Sequence, residues 1–324
     1  MRIEIWADVV CPWMYIGKRR LERALAERSG EPVEVVWRPY RIDPTAPAVS
    51  EPIDEFLRDP FVEVGLEACG PVLDEDGELV RMSELAAAEG IGGRWGAIWR
   101  ADSHDAHRLL ALAEAEGPAV QDAVAEGVLR AHFVEGRDIA DPEVLADVAA
   151  DAGFDRGGEL LADGGGEERV RELLLWGSAE GVRTSPTFVA NGMTLTGARS
   201  PELVAGFLDE AAGRRPRELP EEVERLRRAE ALLELADPLG ALELLRPLIE
   251  THADDRNVRF LAARAYYRSA QLNRARATLE GLLEESADDA YVHLLLGRTL
   301  QRQGERELAG PHLRLAAVMD PALA

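Results

Sequence analysis

Cys11 is the side chain in this sequence that is best placed for chemistry. It lies between a strand predicted over residues 2–7 and a helix predicted over residues 15–28, and Pro12 suits the first turn of a helix. Free amide groups and the dipole at a helix N-terminus stabilise a thiolate, which is the nucleophilic form of cysteine. The pattern therefore predicts an activated thiol at Cys11, and a buried structural cysteine is the alternative.

His104 and His107 are the next candidates, because they lie three residues apart on a helix predicted over residues 104–116. A metal ion would need further ligands of this kind, and none is nearby in the sequence, so we predict no metal site. We interpret the two histidines as packing or pocket-lining residues rather than catalytic ones. Three tryptophans either line an apolar cleft near the thiol or belong to the core, and both interpretations stay open: Trp13, Trp95 and Trp99.

The elements that must position Cys11 form an α/β domain. A second strand is predicted over residues 33–38, and a strand–helix–strand unit of this kind predicts a parallel pair with a right-handed connection. Much later in the chain, Asn191-Gly192 predicts a tight hairpin turn between strands over residues 187–190 and 193–196.

A large helical insertion separates these two pairs of strands. From about residue 60 to 180 the pattern is mostly helical and has no clear strand, and the clearest helices cover residues 104–116, 119–133, 141–151 and 167–180. A helix with Ser200 as its N-cap then ends near Gly213. We therefore predict one α/β domain over residues 1–213, with an all-α insertion over about residues 43–180.

The C-terminal region repeats itself with a period of 34 residues. Four columns keep this period: Ala229, Ala263 and Gly297; Leu232, Tyr266 and Leu300; Ala241, Ala275 and Ala309; and Leu245, Leu279 and Leu313. A period of 34 residues with small residues at two helix contacts is the pattern of tetratricopeptide (TPR) repeats. We predict three TPR repeats over residues 221–324, after a linker over residues 214–220.

Stacked TPR repeats form a concave groove, which is the expected binding surface for a protein or peptide partner. Four arginines of the first helices occupy positions that face such a groove: Arg264, Arg268, Arg298 and Arg302. They form either a site for an acidic peptide or an ordinary solvated face, and the sequence leaves both interpretations open.

Four stretches within residues 1–212 resemble, in order, the DsbA/FrnE-like family of thioredoxin-fold oxidoreductases. They are residues 8–19 (DVVCPWMYIGKR), 103–109 (SHDAHRL), 133–139 (FVEGRDI) and 181–189 (GVRTSPTFV), the last followed by Gly197. The resemblance implies a thioredoxin-like fold, Cys11 as the nucleophile, and a cis Pro186 that lies against Cys11. It also implies that a thiol or disulfide ligand is bound by Pro12, Trp13, Met14, Ser185, Pro186 and His107.

Met14 is where this sequence departs from the family, which has a second cysteine there. A second thiol resolves the mixed disulfide that the first one forms, and a methionine cannot do so. Cys69 is the internal candidate for a resolving thiol, although an incidental loop cysteine is the alternative. Cys11 is thus predicted to act as a monothiol whose release depends on an external thiol.

Three functions follow from these observations. The first is a monothiol disulfide oxidoreductase in which Cys11 forms a mixed disulfide. The second is a thiol-dependent isomerase or transferase, because the architecture also resembles 2-hydroxychromene-2-carboxylate isomerase and kappa glutathione transferases, which carry serine at the position of Cys11. The third is a redox-inactive TPR scaffold. The first two imply a low-molecular-weight thiol of the glutathione or mycothiol type, with no tightly bound cofactor.

Composition excludes some partners. The formal net charge of −23 opposes binding to nucleic acid and to anionic membrane surfaces. Two cysteines in 324 residues argue against a disulfide-stapled secreted domain. The N-terminus reads directly as a strand without an apolar signal segment, and no run of about 18 apolar residues predicts a membrane span. A cytoplasmic protein is therefore expected.

Overall fold

The computed structural model describes residues 1–54, 58, 80–215 and 219–323. The chain divides into two compact units. The first comprises Met1–Gly177 and Gly181–Arg217, and the second comprises Ser178–Glu180 and Glu218–Ala324. Cys69 lies outside the described residues, so its proposed role as a resolving thiol stays a prediction.

A four-stranded sheet in the order β2-β1-β5-β6 forms the centre of the first unit. The strands of this unit are β1 (Arg2–Ala7), β2 (Glu34–Pro39), β3 (Glu51–Pro52), β4 (Trp99–Arg100), β5 (Thr187–Ala190) and β6 (Met193–Thr196). Strand β1 is parallel to β2 and antiparallel to β5, which pairs with β6 through the predicted turn. Asn191 and Gly192 both have positive φ, as a tight hairpin turn requires.

Helices surround this sheet. They are α1 (Pro12–Glu27), α2 (Met82–Ala88), α3 (His104–Ala113), α4 (Pro118–Arg130), α5 (Pro142–Asp151), α6 (Gly157–Ala162), α7 (Glu167–Ala179) and α8 (Pro201–Ala212). A π-helical turn, Ala131–Glu135, extends α4. The thioredoxin-like fold with a helical insertion is thus confirmed. Ser200 is the N-cap of α8, as predicted, because its side chain accepts a hydrogen bond from the Leu203 amide at 3.4 Å.

Two details of the sequence prediction are wrong. Helix α1 begins at Pro12 rather than at residue 15, because the Cys11 backbone is extended and acts as the N-cap. The insertion also contains strand β4, whose two residues pair with β3. A two-residue strand has no alternation of apolar and polar residues, so hydrophobic periodicity does not reveal it.

Helix α1 is fixed on both sides by packing and charge. Its apolar face includes Met14 and Ile16, both fully buried in the core. Gly17 lets α1 approach Pro186 closely, just before β5, since a Cβ at this position would lie 3.3 Å from Pro186 Cγ. On another face, the buried Lys18 ammonium lies 3.3 Å from Asp122 and 3.2 Å from Glu126, which ties α1 to α4.

The second unit consists of paired helices. They are α9 (Glu221–Glu234), α10 (Pro238–Thr251), α11 (Arg256–Arg268), α12 (Leu272–Glu285), α13 (Ala290–Gln303) and α14 (Arg306–Met319). The small-residue columns are buried as predicted, with Ala229 and Ala263 fully inaccessible, and a Cβ on Gly297 would collide with Leu313. Among the described residues, no helix has the length and apolar character needed to cross a bilayer.

Candidate active site

Cys11 lies at the junction of β1 and α1. Its amide donates to the Asp8 carbonyl at 3.0 Å, and its own carbonyl accepts from the Met14 amide at 3.0 Å. These two turns direct the thiol into the core, where the residue is 3% exposed. The sulfur is 3.4 Å from the Ser185 carbonyl oxygen, to which the thiol donates a hydrogen bond.

The Ser185–Pro186 peptide bond is cis, as the resemblance implied. Ser185 and Pro186 are both buried, and they directly precede β5, which pairs with β1. The antiparallel pairing of these two strands therefore brings the Pro186 loop beside Cys11, although the two segments are far apart in the sequence.

The buried position of Cys11 opposes the activated thiolate that the helix start predicts. Burial raises the pKa of the Cys11 thiol to about 11. The Ser185 side chain and the amides of Met14 and Trp13 lower the pKa, while the negative charge of Asp8 raises it further. Because burial outweighs the favourable N-terminus of α1, the thiol is protonated at neutral pH.

The other predicted ligand residues occupy different environments. Pro12 is the first residue of α1, and Trp13 is partly buried against the core. Met14 is 0% exposed, so its thioether belongs to the core beneath the thiol. His107 is 2% exposed and faces Asp8 with a distance of 3.4 Å between Nε2 and Oδ1. Direct contact of these residues with a bound thiol stays a prediction.

His104 and His107 have separate partners. His104 Nε2 lies 2.7 Å from Glu167 Oε2 on α7, whereas His107 faces the interior. Within the described part of the chain, no group of three or more potential metal ligands is present.

Of the three tryptophans, Trp95 stacks on Phe133 with a centroid distance of 5.2 Å. Trp99 donates from Nε1 to the Gly136 carbonyl at 3.2 Å. All three pack against the main hydrophobic core of the first unit, so they contribute to its packing.

Sequence reasoning missed Asp8 as a site residue, although it is part of the motif around Cys11. Asp8 is 1% exposed and follows β1 directly. His132, on the π-helical turn, is also buried, and burial lowers its pKa to about 4 against the opposing charges of Asp8 and Asp138. A charged residue three positions before the cysteine, at the end of an apolar strand, is the signal that identifies Asp8.

The four arginines of the repeat unit are mostly engaged within that unit. Arg264 pairs with Glu230 at 3.0 Å. Arg268 donates to the Leu233 carbonyl, and Arg302 donates to the Tyr267 carbonyl at 2.6 Å. Arg298 is exposed and stands one repeat after Arg264, so its counterpart in the preceding repeat is another arginine. Three of the four thus have partners within the repeats.

Family comparisons match both parts of the chain. The model of the DSBA-like thioredoxin domain matches residues 2–209. A tetratricopeptide repeat model matches residues 232–299.

Individual proteins show more limited similarity. A probable DsbA oxidoreductase from Streptomyces coelicolor is 28% identical with a TM-score of 0.54, over 68% of this chain and 94% of that one. The cytosolic disulfide reductase DsbM from Pseudomonas aeruginosa is 21% identical with a TM-score of 0.43, over 66% of this chain and 99% of that one. The curated protein YwbO from Bacillus subtilis (strain 168) is 31% identical over 55 residues, so the match spans 17% of this chain and 26% of YwbO.

Proposed function

Since the chain belongs to the DSBA-like thioredoxin domain family and carries TPR repeats, we propose that it is a thiol–disulfide oxidoreductase that works through the single thiol of Cys11. The observation that carries this proposal is the position of the sulfur, at the N-terminus of α1 and 3.4 Å from the carbonyl of Ser185, which precedes the cis-proline. Met14 occupies the second position of the motif, so a resolving thiol must come from elsewhere.

The reaction is a thiol–disulfide exchange in two steps. Cys11 loses its proton to solvent, and the thiolate attacks one sulfur of a disulfide. A bond forms between Cys11 and that sulfur, while the other sulfur leaves as a thiolate and takes up a proton. An external thiol then attacks the mixed disulfide and displaces Cys11, which recovers its proton. The protein is unchanged overall. In the disulfide substrate, the external thiol has replaced the thiol that left in the first step.

The buried environment of Cys11 makes the mixed disulfide long-lived in this proposal. A thiol of high pKa is a poor leaving group, and the pKa of Cys11 is about 11 in the free protein. Attack is also slow in this proposal, because Cys11 is 3% exposed and the covering residues must open first. The protein therefore holds its partner in a covalent complex rather than turning over rapidly.

Intact-protein mass spectrometry after treatment with glutathione disulfide tests the proposal. Because the chain has two cysteines, the measurement uses a Cys69→Ser variant, with Cys11→Ser as the matched control. We expect one glutathionyl group on Cys69→Ser, removed by excess reduced thiol, and none at position 11 in Cys11→Ser. An unmodified Cys69→Ser protein after prolonged treatment would contradict the proposal and favour a redox-inactive scaffold.

The same test addresses Cys69. If Cys69 resolves the mixed disulfide, the adduct on the unsubstituted protein disappears without added thiol, and an internal disulfide takes its place. We propose instead that a small thiol of the glutathione or mycothiol type regenerates Cys11. Such thiols are kept reduced in the cytoplasm, which is therefore the proposed location.

A thiol-dependent isomerase or transferase is the second candidate, and the protonated state of Cys11 favours it. A neutral thiol at a helix N-terminus is a hydrogen-bond donor, so it can stabilise the thiolate of a bound small thiol without covalent capture. Calorimetric binding of reduced glutathione by Cys11→Ser as well as by the unsubstituted protein would support this candidate, since serine keeps the donor. Loss of glutathione binding in Cys11→Ser, together with disulfide exchange at Cys11 in the unsubstituted protein, would support the oxidoreductase.

We further propose that the TPR unit binds a protein partner with an acidic segment. The exposed side chain of Arg298 supports this proposal, since it lies in the predicted groove column of the repeats. Affinity purification from the native host with the Arg298→Glu variant, against Arg246→Glu as an exposed control on α10, tests it. A partner retained equally by both variants would contradict the role of Arg298.

A further inference from the structure

Asp8 is a buried carboxylate that joins three segments around the thiol. Its Oδ1 accepts a hydrogen bond from the Val10 amide at 3.3 Å, within the loop that leads to Cys11. Its Oδ2 accepts from the Ile42 amide at 2.6 Å, just after β2. His107 on α3 approaches Oδ1 to 3.4 Å. With a residue exposure of 1%, the carboxylate has no access to bulk water.

The backbone of Asp8 closes a ring of three hydrogen bonds with Cys11 and Ser185. The Asp8 amide donates to Ser185 Oγ at 2.9 Å, and the Cys11 amide donates to the Asp8 carbonyl at 3.0 Å. The Cys11 thiol donates to the Ser185 carbonyl at 3.4 Å, which completes the ring. The backbone of Asp8 thus joins the Cys11 loop to Ser185, whose carbonyl accepts from the thiol.

The charges that face Asp8 come from several elements. Burial by itself would raise the pKa of Asp8, but His107, the Ile42 amide and Ser103 outweigh burial and lower it. His132 interacts with Asp8 and with Asp138, and Cys11 is the titratable group on the same loop. Asp8 is therefore ionised at neutral pH, and its charge opposes a second negative charge on the neighbouring sulfur.

We propose that Asp8 is a positioning residue that holds the Cys11 thiol on the Ser185 carbonyl, opposes its ionisation, and so favours the mixed disulfide over the free thiolate. A mixed disulfide carries no charge on the Cys11 sulfur, so the carboxylate of Asp8 does not destabilise it. The same charge slows both the attack by Cys11 and its release. This inference rests on the proposed exchange reaction, but it concerns the ionisation of the thiol, which can be measured without a disulfide substrate.

The test is the pH dependence of Cys11 alkylation by iodoacetamide in the full chain with Cys69→Ser. Access to the buried sulfur scales the rate at every pH, so the pH of the half-maximal rate reports ionisation. In Asp8→Asn we expect this pH to fall by about one unit, which is the effect of one nearby charge. At neutral pH the thiolate then rises about tenfold and its nucleophilicity falls about threefold, so the net rate rises about threefold.

Asp138→Asn is the matched control. This carboxylate also interacts with His132, but its Oδ1 accepts from Ser50 Oγ at 2.7 Å, and the main influences on the pKa of Cys11 are burial, Ser185, Met14, Asp8 and Trp13. We expect the Cys11 profile of Asp138→Asn to match that of the parent protein. Equal half-maximal pH values in the parent, Asp8→Asn and Asp138→Asn would overturn the inference.

Asp8→Ser gives a second comparison if Asp8→Asn does not fold. A serine hydroxyl can accept the Val10 amide in the same local turn but carries no charge, so it should shift the profile in the same direction. Release of the glutathionyl group by excess thiol should also be faster in either variant. A shifted profile without any mixed disulfide would contradict only the proposed function, and a mixed disulfide with an unshifted profile would contradict only the role of Asp8.

Discussion

At Cys11, two opposing effects act on the same sulfur. The N-terminus of α1 favours a thiolate through the amides of Trp13 and Met14, whereas burial and the charge of Asp8 favour the protonated thiol. Burial is the largest effect, because an ion in a low-dielectric interior loses most of its hydration. The position of a cysteine at a helix N-terminus therefore does not by itself make an acidic thiol.

Restoring a cysteine at position 14 should convert the monothiol into a dithiol. In Met14→Cys, the new thiol lies one helical turn from Cys11 and can displace the partner from the mixed disulfide, so the glutathionyl adduct should be replaced by an internal disulfide. Met14 is fully buried, and the smaller side chain should lower the free energy of unfolding by about 2 kcal/mol.

Mass spectrometry and denaturant unfolding check these two outcomes in the Cys69→Ser background. Met14→Ala is the control, since it removes similar volume without adding a thiol. A glutathionyl adduct that persists equally in Met14→Cys and Met14→Ala would contradict the prediction.

At the scale of elements, the TPR unit uses the same devices in successive repeats. Asp255 and Asp289 cap α11 and α13, each by accepting from two backbone amides. Ala236, Ala270 and Gly304 recur every 34 residues and all have positive φ, between 61° and 86°. Only Gly304 adopts this left-handed conformation without the steric cost of a Cβ atom.

Ala236→Gly and Ala270→Gly should therefore stabilise the TPR unit. Removing the left-handed strain of an alanine gains about 1–2 kcal/mol, and the greater freedom of glycine in the unfolded chain offsets about half of it. The expected gain is about 0.5–1 kcal/mol for each change, measured by far-ultraviolet circular dichroism in a denaturant titration. Ala231→Gly, in the interior of α9, is the matched control and should lower stability by a similar amount. Destabilisation by all three changes would contradict the prediction.

The π-helical turn makes the first unit sensitive to acid through His132. Its pKa is about 4 in the folded protein, below the ordinary value of 6.5, so the folded unit keeps the ring neutral. The contribution of neutral His132 to the free energy of unfolding is fully present above pH 6.5 and falls as the pH drops towards about 4. Between about pH 6.5 and 5 we expect a loss of about 2 kcal/mol.

Tryptophan fluorescence can follow this effect, because all six tryptophans lie between residues 6 and 176. Denaturant titrations at the two pH values should show the loss in the parent protein and a smaller loss in His132→Phe, which keeps a buried ring without a titrating group. The same slope of stability against pH in both proteins would show that His132 is not its source.

At the scale of the whole molecule, the chain is built from two compact units with different sources of stability. The first has a sheet whose strands come from distant parts of the sequence, as the pairing of Trp6 with Arg38 and with Thr187 illustrates. The second relies on contacts between neighbouring helices of a repeat. Folding free energies of such units need not coincide.

We expect guanidinium unfolding of the full chain to give two transitions. Tryptophan fluorescence reports the first unit alone, whereas circular dichroism at helical wavelengths reports both, so the two curves should have different midpoints. Ala236→Gly should raise the midpoint of the TPR transition, which circular dichroism detects, and leave the midpoint of the fluorescence curve unchanged. A single coincident transition in both measurements would contradict independent unfolding of the two units.

Local sequence patterns predicted many of the secondary-structure elements. Alternation of apolar residues predicted β1, the 34-residue period predicted the paired repeat helices, and Ser200 predicted the start of α8 within one residue. The family motif also predicted the cis bond at Pro186. These features depend on residues close together in the chain or on a repeated spacing, and a sequence displays both directly.

The sequence by itself determined that the protein joins a thioredoxin-like domain, with Cys11 at a helix start, to a TPR region. Only the tertiary structure decided that the thiol is buried, which raises its pKa, and that the Asp8 carboxylate is buried on the same loop. The Asp8–Ser185 hydrogen bond joins residues 177 positions apart, and three arginines of the predicted groove are engaged by the preceding repeat. Burial and charge at a site depend on residues that only folding brings together, so a local motif identifies the nucleophile but not its ionisation.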